Sequence, residues 1–300
     1  MGANHMVDIA FIGLGAMGSG MAANLAKADH RVRAYDLIPA SLEAAVAAGC
    51  EAAASVGEAV AGAAFVVTML PTGAHVLDVF QNGEGVFAHA HPDAVFIDCS
   101  TISVADARTV GELARARGFL MCDAPVSGGV AAAAAGTLTF MVGGTADEFK
   151  NAQPILQAMG KAVIHAGQSG AGQAAKICNN MLLAISMIGT CEAFVLAERL
   201  GLDAKAFFEI ASQSSGQSWS MTSYAPVPGL VPQAPSNRDF ANGFAGELML
   251  KDLRLALDAI HAVGMTPALA LKSEEIYSEY IVKYRPNRDF SGVIDMIRNK

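Results

Sequence analysis

A change of hydrophobic period part-way along the chain constrains the fold more than any other feature. Up to about residue 168, short apolar runs alternate with amphipathic stretches, the pattern of βαβ units that build a parallel sheet covered by helices. The strand candidates are Ile9 to Ile12, Val32 to Tyr35, Phe65 to Leu70, Ala94 to Asp98, Phe119 to Asp123, Leu138 to Val142 and Ala162 to His165. Helices lie between them, such as Ser103 to Arg117 and Thr145 to Met159, each opened by a residue suited to capping. After Gly172 the strand signals almost cease. A helical pattern then runs from Gln173 to Leu200 with Gly201 as its stop, followed by helices at Ala204 to Gln213, Gly246 to Val263 and Leu269 to Val282. The expected architecture is α/β: a sheet domain over residues 1–169, then an all-helical domain over 170–300, joined by a long interdomain helix. The segment from Ser214 to Asn242, dense in Ser, Pro, Gly and aromatic residues, is too long for an ordinary connection, which marks it as functional or disordered.

Composition narrows the function. The 300 residues are 53% hydrophobic and only 16% charged, the opposite of a disordered chain. A net charge of −8, with 28 acids against 20 bases and no cluster of Lys and Arg, argues against a nucleic-acid partner. Two uncharged runs are long enough to cross a bilayer, but Ala124 to Ala146 is rich in glycine and Ile210 to Asn237 is broken by Pro226, Pro228, Pro232 and Pro235. Neither reads as a membrane span. The apolar stretch from Ile9 lacks the basic flank of a signal peptide, and the residues before Met6 read as an expression leader. The five cysteines, Cys50, Cys99, Cys122, Cys178 and Cys191, form no C-x-x-C, so neither a disulfide framework nor a metal site is suggested and a cytoplasmic setting is expected.

The first strand candidate runs into Gly13-Leu14-Gly15-Ala16-Met17-Gly18 and then a helix. In that context the glycines serve a Rossmann-type dinucleotide site: Gly13 for the tight turn, Gly15 for close approach of a pyrophosphate, Gly18 for helix–strand packing. The pyrophosphate would lie on the helix N-terminus, where N–H groups and the macrodipole favour an anion. Asp36 closes the second strand where an acid hydrogen-bonds the adenosine ribose, and a carboxylate there repels a 2′-phosphate. The expected cofactor is NAD rather than NADP.

Three further stretches are not required by ordinary packing. Ser127-Gly128-Gly129 follows a strand and either makes a plain turn or offers a hydroxyl and successive N–H groups to a carboxylate. Lys176 lies four residues before Asn180, hence on the same helix face, in a helix almost free of other charges. It is either a solvent-facing lysine or one desolvated enough for acid–base work near neutrality. Lys251-Asp252 is a charged pair on a later helix, which by itself reads as a solvated face.

Taken together, these residues resemble the β-hydroxyacid dehydrogenase family. The match rests on the Gly13 to Gly18 loop with Met21-Ala22-Ala23-Asn24, the Asp123 to Gly129 stretch, the Lys176 helix and Lys251-Asp252, in order along essentially the whole chain. Trp219-Ser220, Tyr224-Ala225-Pro226-Val227-Pro228-Gly229 and Ala234-Pro235-Ser236 look most like the members that oxidise 3-hydroxyisobutyrate in valine breakdown. The resemblance implies that Lys176 is catalytic, that Ser127, Gly128 and Gly129 hold the substrate carboxylate, and that Asn180, with Asn179 beside it, orients the substrate. It further implies that Leu70, Pro71, His75 and Thr101 line the nicotinamide half of the cofactor, that Lys251 contacts the cofactor, and that Phe244 and Asp252 are pocket residues. Trp219 and Tyr224 either wall the pocket or close the helical core. Similar enzymes place the active site between the two domains, act on small hydroxy acids and associate as dimers or tetramers.

Other readings keep the reaction and change the substrate to L-serine, tartronate semialdehyde or another small semialdehyde or hydroxy acid. Oxidative decarboxylation of a phosphorylated sugar acid calls for a longer chain with clustered basic residues. Imine reductases commonly carry another residue at the lysine position. A non-catalytic NAD-binding protein of this type lacks the lysine that Lys176 supplies here.

Overall fold

The structure is a computed structural model that describes residues 6–241 and 243–299, so the proposed leader before Met6 and Asn242 lie outside it. Two compact units part between Lys176 and Ile177.

The first unit is a nine-stranded sheet: β1 (Asp8–Ile12), β2 (Arg31–Tyr35), β3 (Glu51–Ala52), β4 (Phe65–Thr68), β5 (Val95–Asp98), β6 (Leu120–Asp123), β7 (Val126–Ser127), β8 (Leu138–Gly143) and β9 (Gly160–Gly167). Its order is β3-β2-β1-β4-β5-β6-β8-β7, with β9 pairing β8. From β3 through β6 every pairing is parallel, and β8 then runs antiparallel to β6 and β7. The helices of this unit are α1 (Gly18–Lys27), α2 (Pro39–Ala47), α3 (Val56–Val60), α4 (Gly73–Gln81), α5 (Val86–His89), α6 (Val104–Arg115), α7 (Gly129–Ala135) and α8 (Ala146–Gln157).

The apolar strands feed two separate cores. Ile9 and Phe11 of β1, Val67 of β4, Ile97 of β5 and Cys122 of β6 enter one cluster. Their neighbours Ala10, Ile12, Val66, Phe96 and Met121 enter the other. Alternate residues point to opposite faces, and both faces are covered, so the strands carry no polar alternation. Phe96 is fully buried and packs edge-on to Phe80 with centroids 5.4 Å apart. Truncating such a side chain to Ala costs about 3–5 kcal/mol. Two predicted helices start where their caps direct. The Ser103 side chain accepts from the Asp106 N–H at the head of α6, and Thr145 and Glu148 form a reciprocal capping box on α8.

The long helix expected after Gly172 is α9 (Ala171–Arg199), followed by α10 (Ala204–Ala211), α11 (Trp219–Thr222), a 3-10 turn at Pro235–Arg238, α12 (Gly246–Ala262), α13 (Leu269–Lys283) and α14 (Val293–Arg298). The second unit has its own core around Met187, Phe194, Leu253, Tyr277, Tyr280 and Phe290. By length and composition α9 is apolar enough to cross a membrane, and half of its most apolar window is buried within the fold. The two uncharged runs first considered as spans are interrupted instead. Residues 124–146 form β7, α7 and β8, and residues 210–237 hold one four-residue helix and a short turn.

Candidate active site

In a parallel sheet, ligands bind beyond the carboxyl ends of the strands. Here Ile12, Thr68, Asp98 and Asp123 are register partners across β1, β4, β5 and β6, so those four strands stop along one row. Of the residues expected to bind the dinucleotide, the Gly13 to Gly18 loop, Leu70, Pro71 and Thr101 follow that row, Asp36 follows Tyr35, the register partner of Ile12 on β2, and Lys251 lies on a helix of the second unit.

Gly13 takes φ +97, and a Cβ there would collide with the carbonyl oxygen of Met69. A Cβ on Gly18 would collide with the carbonyl of Gly13, which explains the two outer glycines by sterics alone. Gly15 differs, because a Cβ there would meet nothing within 4 Å. It therefore borders open space, which leaves room for the expected phosphate. The start of α1 suits that use: its cap residue Met17 makes no side-chain bond to the helix, and the first turn carries no acid. Orphan N–H groups at a helix start favour an anion. Asp36 accepts from the Leu14 N–H at 2.6 Å and from the Ile38 N–H at 2.8 Å, which holds its carboxylate against the glycine loop. Each carboxylate oxygen retains capacity for a ribose hydroxyl. The residues fit a dinucleotide.

Leu70 and Thr101 lie just past β4 and β5 and are half-buried, while Pro71 and His75 are exposed. A buried polar network holds the Leu70 backbone. Ser100 Oγ accepts from the Leu70 N–H at 2.8 Å and donates to Asp98 Oδ1 at 2.6 Å, and Thr68 Oγ1 donates to the same oxygen at 2.7 Å. Burial pushes the Asp98 carboxyl up to about 6, against the pull of the Ser100 and Thr68 hydrogen bonds. His75 is tied locally, its ring nitrogen 2.7 Å from Thr72 Oγ1.

Ser127 ends β7, paired with Thr139, and the chain then turns through Gly128 at φ +136 and Gly129 at φ +72 into α7. A Cβ on Gly129 would meet nothing within 4 Å. Asn24 of α1 donates to the Ala133 carbonyl at 2.7 Å, and a Cβ on Gly20 would stand 2.9 Å from the Ala133 and Ala134 backbone. The glycine-loop helix and the helix after Ser127 are thereby packed backbone to side chain.

Lys176 is buried, 8% exposed, so the solvent-facing alternative does not hold. It sits on the second turn of α9, whose first turn is clasped by Asp123: Oδ1 accepts from the Gly170 N–H at 2.7 Å and Oδ2 from the Gln173 N–H at 2.9 Å. Burial raises the Asp123 carboxyl above the usual range, opposed by these backbone bonds. A Cβ on Gly172 would collide with the Met141 carbonyl, so a glycine is needed where the helix start meets the sheet.

In the second unit Asn180 is buried and its Nδ2 donates to Asp252 Oδ2 at 2.5 Å. Exposed Asn179 donates to Asn180 Oδ1 at 3.0 Å, and Lys251 Nζ lies 3.5 Å from Asp252 Oδ1. Four expected site residues thus form one chain of contacts, and Lys251-Asp252 is not merely a solvated face. The aromatic residues divide. The Tyr224 hydroxyl donates to buried Asp289 at 2.8 Å, and its ring stacks on Phe290, centroids 5.5 Å apart. Burial and the Asp289 charge raise the phenol above its ordinary range. Trp219 stacks on the outer side of Tyr224 and keeps half its surface exposed. Phe244 also donates its N–H to Asp289, at 2.6 Å. Among the described residues no cluster of His, Cys, Asp or Glu is arranged to hold a metal.

Sequence reasoning did not single out Asp98, Gln173 or Asp289. Each is a buried polar residue with at least one partner tens of residues away, and no local pattern announces that distant bond.

The fold and this carboxyl-edge site define a nicotinamide-dinucleotide-dependent dehydrogenase. Residues 8–167 match the NAD-binding domain family of 6-phosphogluconate dehydrogenase, and residues 170–297 match the family described as NAD-binding of NADP-dependent 3-hydroxyisobutyrate dehydrogenase. A probable 3-hydroxyisobutyrate dehydrogenase of Mycobacterium tuberculosis is 48% identical, over 98% of both chains. An NAD-dependent L-serine dehydrogenase of Pseudomonas aeruginosa is 46% identical, over 96% of this chain and 97% of its own. A solved structure of Mycobacterium tuberculosis 3-hydroxyisobutyrate dehydrogenase with L-serine superposes with a TM-score of 0.93, covering 98% of this chain and all of that one. The chain belongs to the β-hydroxyacid dehydrogenase family, as its sequence motifs imply. It is an oxidoreductase that acts on CH–OH groups and uses NAD.

Proposed function

We propose that the protein oxidises 3-hydroxyisobutyrate to methylmalonate semialdehyde, with Lys176 as the general acid–base. The observation that carries this reading is the burial of Lys176 one turn into a helix that Asp123 anchors to the carboxyl edge of the sheet. Glycine loop, Leu70 and Thr101 all leave the same edge. NAD, held by the Gly13 to Gly18 loop and Asp36, would supply the hydride acceptor for the carbinol carbon. Lys176 accepts the hydroxyl proton during oxidation and returns it in the reverse direction. Ser127, Gly128 and Gly129 hold the substrate carboxylate and so fix the reacting carbon, a positioning effect that accounts for much of the barrier reduction in such reactions. Asn180, oriented by Asp252, directs the hydroxyl, and Trp219 and Phe244 wall the pocket with Tyr224 behind them.

The second reading replaces the substrate with L-serine. It is favoured by the 46% identical L-serine dehydrogenase and by the neighbouring structure that holds L-serine. NADH production by the purified protein, measured across 3-hydroxyisobutyrate, L-serine, glycerate and 3-hydroxypropionate, separates the two. The first reading expects the highest kcat/KM on 3-hydroxyisobutyrate, a lead for L-serine establishes the second, and no turnover on any of them refutes both.

We also propose a homodimer or homotetramer joined through the helical unit, supported by exposed Leu182, Leu196, Leu200 and Val282 on its surface. A cytoplasmic setting is supported by the free state of all five cysteines.

A further inference from the structure

Gln173 lies three residues before Lys176, in the first turn of α9, and is fully buried. Its side-chain amide is bonded at both ends to the chain that leaves β5. Nε2 donates to the Ser100 carbonyl at 2.7 Å, and Oε1 accepts from the Ile102 N–H at 3.2 Å. Those two backbone groups flank Thr101, the residue expected beside the nicotinamide. The Gln173 main chain is fixed separately by its N–H bond to Asp123 at the end of β6.

One residue therefore ties the lysine helix to two strand ends at once. A single bond would leave the helix free to swivel, whereas two bonds to one short stretch of backbone resist both rotation and sliding. Three residues of helix span about 4.5 Å, so a shift of the first turn passes almost undiminished to Lys176. A buried glutamine also carries a desolvation cost that an apolar side chain of the same length would not, unless its bonds are made. Packing alone does not call for an amide here.

We infer that Gln173 is a positioning residue for the oxidation: it gauges the separation of the Lys176 amine from the Thr101 backbone. The inference rests on the acid–base reading of Lys176. Misplacement of a reacting group by about 1 Å costs up to about 100-fold in rate, which sets the scale of the effect.

The test uses the full chain and the best substrate from the screen. Gln173→Met keeps length and removes both hydrogen bonds, and Gln173→Glu keeps an acceptor for Ile102 but loses the donor to Ser100. Melting temperature, NADH dissociation constant, kcat, KM and the isotope effect with substrate deuterated at the carbinol carbon are measured for each. The expected result for Gln173→Met is a fall in kcat of about 10–100-fold, with NADH affinity and KM within about threefold and a larger isotope effect on kcat, since hydride transfer becomes the slow step. Gln173→Glu is expected to fall between it and the parent. A kcat within about twofold of the parent in folded Gln173→Met overturns the inference, as does a loss that follows NADH affinity with no change in the isotope effect. If Gln173→Met does not fold, Asp123→Asn, which weakens the second anchor of the same turn, is judged by the same criteria. Lys176→Ala in parallel keeps the two readings apart. An active Lys176→Ala removes the acid–base reading and this inference with it, while an inactive Lys176→Ala beside a fully active Gln173→Met overturns the positioning role alone.

Discussion

Asn180 donates its side-chain amide to Asp252 at 2.5 Å, a bond between helices 72 residues apart in sequence, and both partners are buried. The bond fixes which face of the amide Asn180 presents. Asp252→Ala removes the carboxylate acceptor of the buried Asn180 Nδ2–H, and losing such a hydrogen bond costs about 1–3 kcal/mol of stability. The expected outcome is a lower melting temperature together with, on the proposed role of Asn180, a kcat/KM reduced by at least about tenfold on the hydroxy acid. Thermal melts and steady-state kinetics check both, and a variant with parental kinetics removes Asn180 orientation from the account.

If Asp36 reads the adenosine ribose as proposed, Asp36→Ala is expected to weaken NADH binding and to relax discrimination against NADPH by about tenfold or more. Fluorescence titration with both dinucleotides measures the ratio. Unchanged selectivity would mean that Asp36 only pins the Leu14 and Ile38 N–H groups.

Asp98 makes stability depend on acidity. Its carboxyl titrates at about 6 in the fold against 3.8 as the ordinary value, so the folded state binds the proton more tightly. Stability from this group is greatest below pH ~3.8, declines as pH rises to ~6 and is level above, a change on the order of 3 kcal/mol. Asp98→Asn cannot titrate. Comparing the two proteins at pH 4 and pH 7, the melting temperature of the variant should gain on that of the parent as pH rises; a constant difference would contradict the buried-acid description.

Tyr224→Phe and Trp219→Ala should part company. The Tyr224 hydroxyl faces Asp289 within the helical unit, so its removal is expected to cost about 1 kcal/mol in stability and to leave KM unchanged. Trp219→Ala is expected to raise KM for the hydroxy acid, since half of that ring is exposed. Equal kinetic effects from the two would place the Tyr224 hydroxyl in the pocket.

What the sequence disclosed follows from the range of the interactions involved. The main strands were legible because burial on both faces leaves uninterrupted apolar runs, as in Val95–Asp98. The long helix was legible from its apolar, proline-free run with few charges. Strands β3 and β7, two residues each, are too short to carry a period, and α7 lies between Gly128 and Gly136 in an alanine run whose flanking glycines read as a loop. The glycine loop, Asp36, Lys176 and Asn180 could be put forward as site residues because residue type and spacing are local. Asp123 reaches 47 and 50 residues ahead to cap α9, and Gln173 reaches back 71 and 73 residues to straddle Thr101. Bonds of that range exist only once the sheet has assembled.

The role of Lys176 is the central claim, and the kcat of Lys176→Ala tests it most directly. General acid–base groups contribute about 10²–10⁴-fold, so the account predicts a loss in that range with NADH affinity retained. A folded Lys176→Ala that turns over the best substrate within about threefold of the parent would contradict it.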